Sequence, residues 1–230
     1  SELHACCLSV GRLDVIWMGI MQRTQRFLVG TGLLVAPALA TAQITPGVTT
    51  VDLVLQSVDP GTAAAGHAGN GTFSNFATGV YWFTGSNTNP LPPALDSPPD
   101  LPLFCIELSE WAPVGTSQTY LVDLPQFGSS NSNSPLGDNI PAAGIGTSRA
   151  LNLQLLYGNV FGSLSSYITG LSGLSSTQKS AFQIAVWELS HDDDYTVGSG
   201  SGLGFWITSA GDGVVTQAQT WVDGVKSDRL

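Results

Sequence analysis

Charge is scarce in this chain. Asp, Glu, Lys and Arg make up only 10% of its 230 residues, and Lys and Arg together number 7 against 17 acids, a net charge of −10. So few cations exclude a nucleic-acid partner, because neutralising phosphates takes clusters of Lys and Arg. Cysteine is nearly absent as well, with three in all: Cys6, Cys7 and Cys105. Histidine also numbers three, and with so few soft ligands no zinc pattern can be assembled. No Gly-x-Ser-x-Gly elbow occurs, which leaves a serine hydrolase without support. No cofactor motif and no metal set is expected.

What is present is apolar and small. Hydrophobic residues reach 43%, so the chain as a whole can build a core and is not disordered. Gly, Ser, Asn, Thr and Pro are abundant, as in loop-rich extracellular modules. Near the start, Met21 opens a short basic stretch with Arg23 and Arg26. An apolar run, Phe27 to Leu39, and the small residues Ala40-Thr41-Ala42 follow. That order of charged, apolar and small residues reads as a secretory signal peptide over 21–42, cleaved after Ala42. The apolar run is short and glycine-containing, unlike a membrane span. Residues 1–20 read as upstream sequence outside the fold, and 43–230 as one domain that stops just after a helix, as a truncated chain would. The expected location is secreted or on the cell surface.

Removing the leader leaves Cys105 as the sole cysteine, so no internal disulfide can form. A thiol in an oxidising compartment is a liability unless it is buried, paired between chains or chemically occupied.

Alternation predicts a strand over Val51–Val58, a small-residue loop over Gly61–Gly71, and strands over Thr72–Phe76 and Val80–Thr84. Gly85–Pro102 reads as a loop, Leu103–Leu108 as an apolar strand containing Cys105, Tyr120–Leu124 as a strand, and Phe127–Pro141 as a polar loop. Helical spacing then takes over at Ser148–Tyr157 and Phe161–Leu171. The strongest helix is capped by Ser175 or Ser176 and striped by Ala181, Phe182, Ala185, Val186 and Leu189. It stops near His191, before Asp192-Asp193-Asp194. A Gly/Ser loop and a last helix over Val214–Val225 complete the chain. Strands first and helices later predict an α+β fold: a β-rich sandwich or barrel part followed by a helical part.

Two segments carry candidate chemistry: Phe104-Cys105-Ile106-Glu107-Leu108 and Phe182-Gln183-Ile184-Ala185-Val186-Trp187-Glu188-Leu189. The first sets a thiol among apolar neighbours. The second sets a carboxamide one helical turn before Trp187, on the same face. Taken singly, a cysteine between Phe and Ile is a small buried hydrophobe, and a helical glutamine is a solvated or locally bonded residue. Together the segments resemble the bacterial thioester domains at the tips of surface adhesins. Those carry an aromatic residue or Leu, then Cys, then an apolar residue, followed much later by Gln-x-Ala-apolar-Trp on a helix. The same phrases also resemble exported proteins with a short Pro-Glu-Pro sorting tail, which this chain lacks.

The resemblance implies a Cys105–Gln183 thioester between the β-rich and helical parts. Trp187, Phe104 and Phe182 would wall the bond from water, and Glu107 and Glu188 would support it. It further implies adhesion by covalent coupling, in a single turnover and not as an enzyme. The partner is an amine-bearing surface ligand, a protein Lys or a matrix amine, and envelope anchoring would run through the missing tail. Cys105 attacks the Gln183 carboxamide and expels ammonia; an amine then displaces the sulfur. Backbone N–H groups or polar side chains must hold the oxyanion.

Other readings were weighed. The alternative is a non-covalent structural or matrix-binding protein with an unreacted Cys105. A carbohydrate-active enzyme would use Glu107 and Glu188 as its carboxylate pair. His191-Asp192-Asp193-Asp194 is read as a solvated helix end over a calcium site. Tyr81 and Trp82 are read as core over a sugar platform.

Overall fold

The computed structural model describes residues 13–14, 50–69, 71–85, 101–106, 114–123, 145–162, 164–198 and 204–230. The expected signal segment, Cys6, Cys7, Glu107 and the polar loop over Phe127–Pro141 lie outside these residues.

Among the described residues six strands form one sheet around a long central hairpin. Strand β2 (Thr50–Ala68) pairs antiparallel with β3 (Gly71–Gly85), from Leu53 opposite Gly85 to Ala68 opposite Gly71. Bulges interrupt the register after Leu55, Pro60 and Ala64; each re-aims the side chains that follow. On one side of the hairpin, β4 (Leu101–Leu103) pairs with β3. The opposite edge of β2 is shared by two strands. Its first half pairs with β5 (Ser117–Asp123), and its last residues, Ala65–Ala68, pair with β6 (Phe205–Ser209). A two-residue strand β1 (Leu13–Asp14), within the segment read from sequence as lying outside the fold, adds in parallel to β5.

The segment Gly61–Gly71, expected to be a loop, is mostly strand. Its run of Ala and Gly carries no alternation to read, yet smallness is what the place demands. A Cβ on Gly66 would meet the carbonyl oxygen of Trp206 and the ring of Phe73, so the close approach of β6 depends on glycine there. β6 itself was read as part of a Gly/Ser loop. It is only five residues long, with Phe205 and Ile207 buried and Trp206 facing outward.

The described residues hold four helices: α1 (Gly146–Phe161), α2 (Leu164–Gly173), α3 (Ser176–His191), which packs on the sheet, and α4 (Val214–Arg229). The α+β order is therefore as the sequence reads, apart from β6 between the last two helices. Ser175 caps α3 in a reciprocal box: its hydroxyl accepts from the Gln178 N–H (3.2 Å) while Gln178 Oε1 accepts from the Ser175 N–H (2.9 Å). α4 buries Val214, Ala218, Val222 and Val225, one stripe of a helix.

α3 is different. The sequence suggested an apolar stripe, but every residue from Ser180 to His191 is buried, including Gln183, Glu188, Ser190 and His191. The helix runs through the centre, with β3 and β2 on one side, α1 and α4 on others, and β6 near its end. A helix buried all round must satisfy its polar side chains inside the protein.

Candidate functional site

The apolar phrase that carries Cys105 was expected to be a strand over Leu103–Leu108. The ladder instead ends at Leu103, and residues 104–106 have no strand partner. Cys105 thus lies just beyond a strand end, with its backbone N–H and C=O in the interior. Buried backbone groups demand partners, and one side chain supplies both. The Cys105 N–H donates to Gln183 Oε1 at 2.9 Å, and Gln183 Nε2 donates to the Cys105 carbonyl at 2.5 Å. The two residues are 1% and 0% exposed. Both hydrogen bonds are made to its backbone, so the carboxamide is fixed against the residue that bears the thiol.

Aromatic packing joins the two residues that precede this pair in the chain. Phe104 lies 4.6 Å, centroid to centroid, from Phe182, the residue preceding Gln183. Phe182 also meets Tyr157 edge-on at 4.9 Å, Phe161 at 5.0 Å and Trp221 at 5.8 Å. Such contacts between rings add to plain area burial. Tyr167, which sequence reasoning passed over, donates its hydroxyl to the Pro102 carbonyl at 2.9 Å and is 4% exposed. It therefore ties α2 to β4, three residues before Cys105. Nothing in the sequence marks it, since its partner is a backbone atom in a distant strand. Burial holds the phenols of Tyr157 and Tyr167 well above the ordinary range, so both remain protonated donors.

Trp187 is fully buried, one turn beyond Gln183 on the same helix face. Its ring packs on Phe73 (6.1 Å) and Phe205 (6.3 Å), closing α3 against β3 and β6. Among the described residues its indole N–H has no hydrogen-bond partner. Tyr81 is core, as read from sequence: it is 0% exposed and its hydroxyl donates to the Ala77 carbonyl at 2.6 Å.

Glu188 belongs to a second polar group at the end of α3. Its Oε1 accepts from the Thr196 N–H at 2.9 Å, and Asp194 Oδ1 accepts from the same N–H at 2.7 Å. Asp192, half-buried, binds the N–H groups of Asp193, Asp194 and Phe205 at 2.7, 3.1 and 2.9 Å. Gly204 is required beside it, because a Cβ there would collide with Asp192 Oδ2. Burial first, then the charges of Asp192 and Asp194, push the Glu188 carboxyl up to about 8. Glu188 thus holds a proton at neutral pH. Its Oε2 is otherwise without a partner, and the proton lets it bond toward Asp194.

The run His191-Asp192-Asp193-Asp194 was expected to be a solvated helix end. Asp193 and Asp194 are exposed, but His191 is 1% exposed and Asp192 is the clamp that joins α3 to β6. Among the described residues, no group of three or more His, Cys, Asp or Glu side chains is placed to hold a metal ion. Of the expected site residues, the structure brings Cys105 to Gln183 and Phe104 to Phe182. Trp187 adjoins them along α3, Glu188 is turned to the loop that follows the helix, and Glu107 is not described.

Comparison of this chain with known protein families, characterised proteins and solved structures returns no match.

Proposed function

We propose that this protein is a secreted or cell-surface adhesion domain that couples covalently to amines through an internal Cys105–Gln183 thioester. The observation that carries this reading is the two-point bonding of the Gln183 carboxamide to Cys105 in the buried interior. Two residues far apart in sequence, which separately have bland explanations, are held in one place. Fixed proximity of this kind replaces a costly encounter between reactants, and exclusion of water protects the acyl bond from hydrolysis. No described helix is long and apolar enough to cross a membrane. The partner would be an amine-bearing ligand, a protein Lys or a matrix amine, and attachment to the envelope would run through a Pro-Glu-Pro type tail.

Intact-mass measurement on the purified protein tests the reading. The expected mass is one ammonia below that of the sequence, and the deficit is absent from Cys105→Ala and Gln183→Ala variants. Methylamine should add to the protein and expose one titratable thiol. Full sequence mass with a thiol that titrates at once in unfolded, freshly prepared protein would sink the proposal.

A second reading draws on the same hydrogen bonds. Both are made to the backbone of Cys105, so Gln183 can act as a cap that completes a broken strand end, in a non-covalent structural or matrix-binding protein. Under that reading wild type and Cys105→Ser each show the full mass of their own sequence, with fold and ligand binding unchanged, whereas under the thioester reading Cys105→Ser loses coupling altogether.

A further inference from the structure

The acyl transfer at Gln183 needs a donor for the negative charge that develops on its carbonyl oxygen. We propose that this donor is the backbone N–H of Cys105 itself, with the Cys105 carbonyl holding the nitrogen that leaves or enters. The inference rests on the thioester reading and names the groups that would perform it. The Cys105 N–H already points at Gln183 Oε1 from 2.9 Å, within the range of an oxyanion donor. A nucleophile whose own backbone N–H serves its oxyanion hole is established chemistry in serine-type acyl transfer.

The second hydrogen bond makes the arrangement specific. Because Oε1 and Nε2 both bond to one residue, the amide plane is aligned with the Cys105 N–H and C=O. The Cβ of Cys105 leaves the tetrahedral Cα out of that plane. Attack by the sulfur has to come at a face of the amide, the direction in which a nucleophile adds to a carbonyl. Sulfur forms a bond to Cδ as the π pair moves to Oε1, to which the Cys105 N–H donates its hydrogen bond. Collapse breaks the Cδ–Nε2 bond, and Nε2 leaves as ammonia carrying the former thiol proton. Amine coupling is the same path run backwards with one hydrogen replaced by carbon. By microscopic reversibility the amine enters where Nε2 stood, donates an N–H to the Cys105 carbonyl, and passes through the same oxyanion. The sulfur leaves and recovers a proton from the amine.

No side-chain substitution removes this donor, but a backbone one does. Incorporating the α-hydroxy analogue of cysteine at position 105 of the full chain puts an ester oxygen where the N–H was. Two rates are read by intact mass: loss of ammonia during refolding, and uptake of methylamine by protein already carrying the thioester. Removing one oxyanion donor lowers such rates about 10²–10³-fold, and both rates should fall together. Unchanged rates in the ester analogue overturn the inference while leaving the thioester reading intact. Wild-type protein that never loses ammonia overturns both.

Should the ester analogue fail to fold, infrared spectroscopy of the unmodified protein decides. With ¹³C at the Gln δ carbon, the native thioester carbonyl should absorb below the same band in denaturant, because a hydrogen bond weakens the C=O. A native band at or above the denatured one overturns the assignment.

Discussion

Gln183 and Glu188 lie little more than one turn apart on α3, and neither reaches solvent. Their surroundings differ in kind. Gln183 meets one backbone residue that offers one donor and one acceptor, and a neutral amide matches both. Glu188 meets an N–H that it must share with Asp194, and the Asp192 carboxylate also stands nearby. The amide is satisfied without charge or proton exchange. The carboxyl can be buried only by keeping its proton. The front of the helix is thus built to hold one arrangement at any pH, and its end to hold only below a certain pH.

The largest effect should come from breaking the front. Gln183→Leu keeps much of the volume but leaves the Cys105 N–H and C=O unpaired in the interior. Each orphaned buried group costs about 1–3 kcal/mol, so a loss of roughly 2–6 kcal/mol is expected in urea denaturation. Exposure of Cys105 to thiol reagents should rise with it. A loss below about 1 kcal/mol would mean that the two bonds do not organise the strand end.

Glu188→Gln acts on the other end. The folded carboxyl titrates at about 8 against an ordinary 4.5, so between these values the native state holds a proton that the unfolded chain has released. Stability should therefore fall as pH rises from about 4.5 to about 8 and level off above. Gln has no proton to lose and should flatten that slope. The variant should gain on the order of a few kcal/mol over wild type at high pH, relative to their difference below the ordinary carboxyl value. Melting curves across this window measure it, and parallel profiles for the two proteins would count against a buried neutral Glu188.

Smaller effects sharpen the contrast. Tyr167→Phe removes the bond to the Pro102 carbonyl and should cost about 1 kcal/mol. Because it loosens the strand end before Cys105, ammonia loss on refolding should slow more than that stability change predicts. Arg149 bonds the Ser190 carbonyl and pairs with exposed Asp193 at 3.3 Å. Arg149→Gln should cost less than about 1 kcal/mol, most of it lost in high salt. Salt titration of both variants separates the dry front from the wetter end.

The sequence on its own determined that strands come first and helices later, a serine cap at 175 or 176, the helix periods of α1 and α4, and the pair of residues to watch. Each is written in local spacing or in residue type. It did not reveal β6, which is only five residues long beside a Gly/Ser stretch, or the second half of β2, where Ala and Gly allow close approach to other elements and carry no period. Nor did it reveal that α3 is buried on all sides, since a helix with Gln, Glu, Ser and His at intervals reads as half-solvated until the elements around it are placed. That Cys105 stands past the end of its strand, with Gln183 completing its backbone bonding, was decided by tertiary structure alone. A hydrogen bond between residues so distant in sequence depends on where the sheet ends and where α3 crosses it, and neither is set by any local stretch of chain.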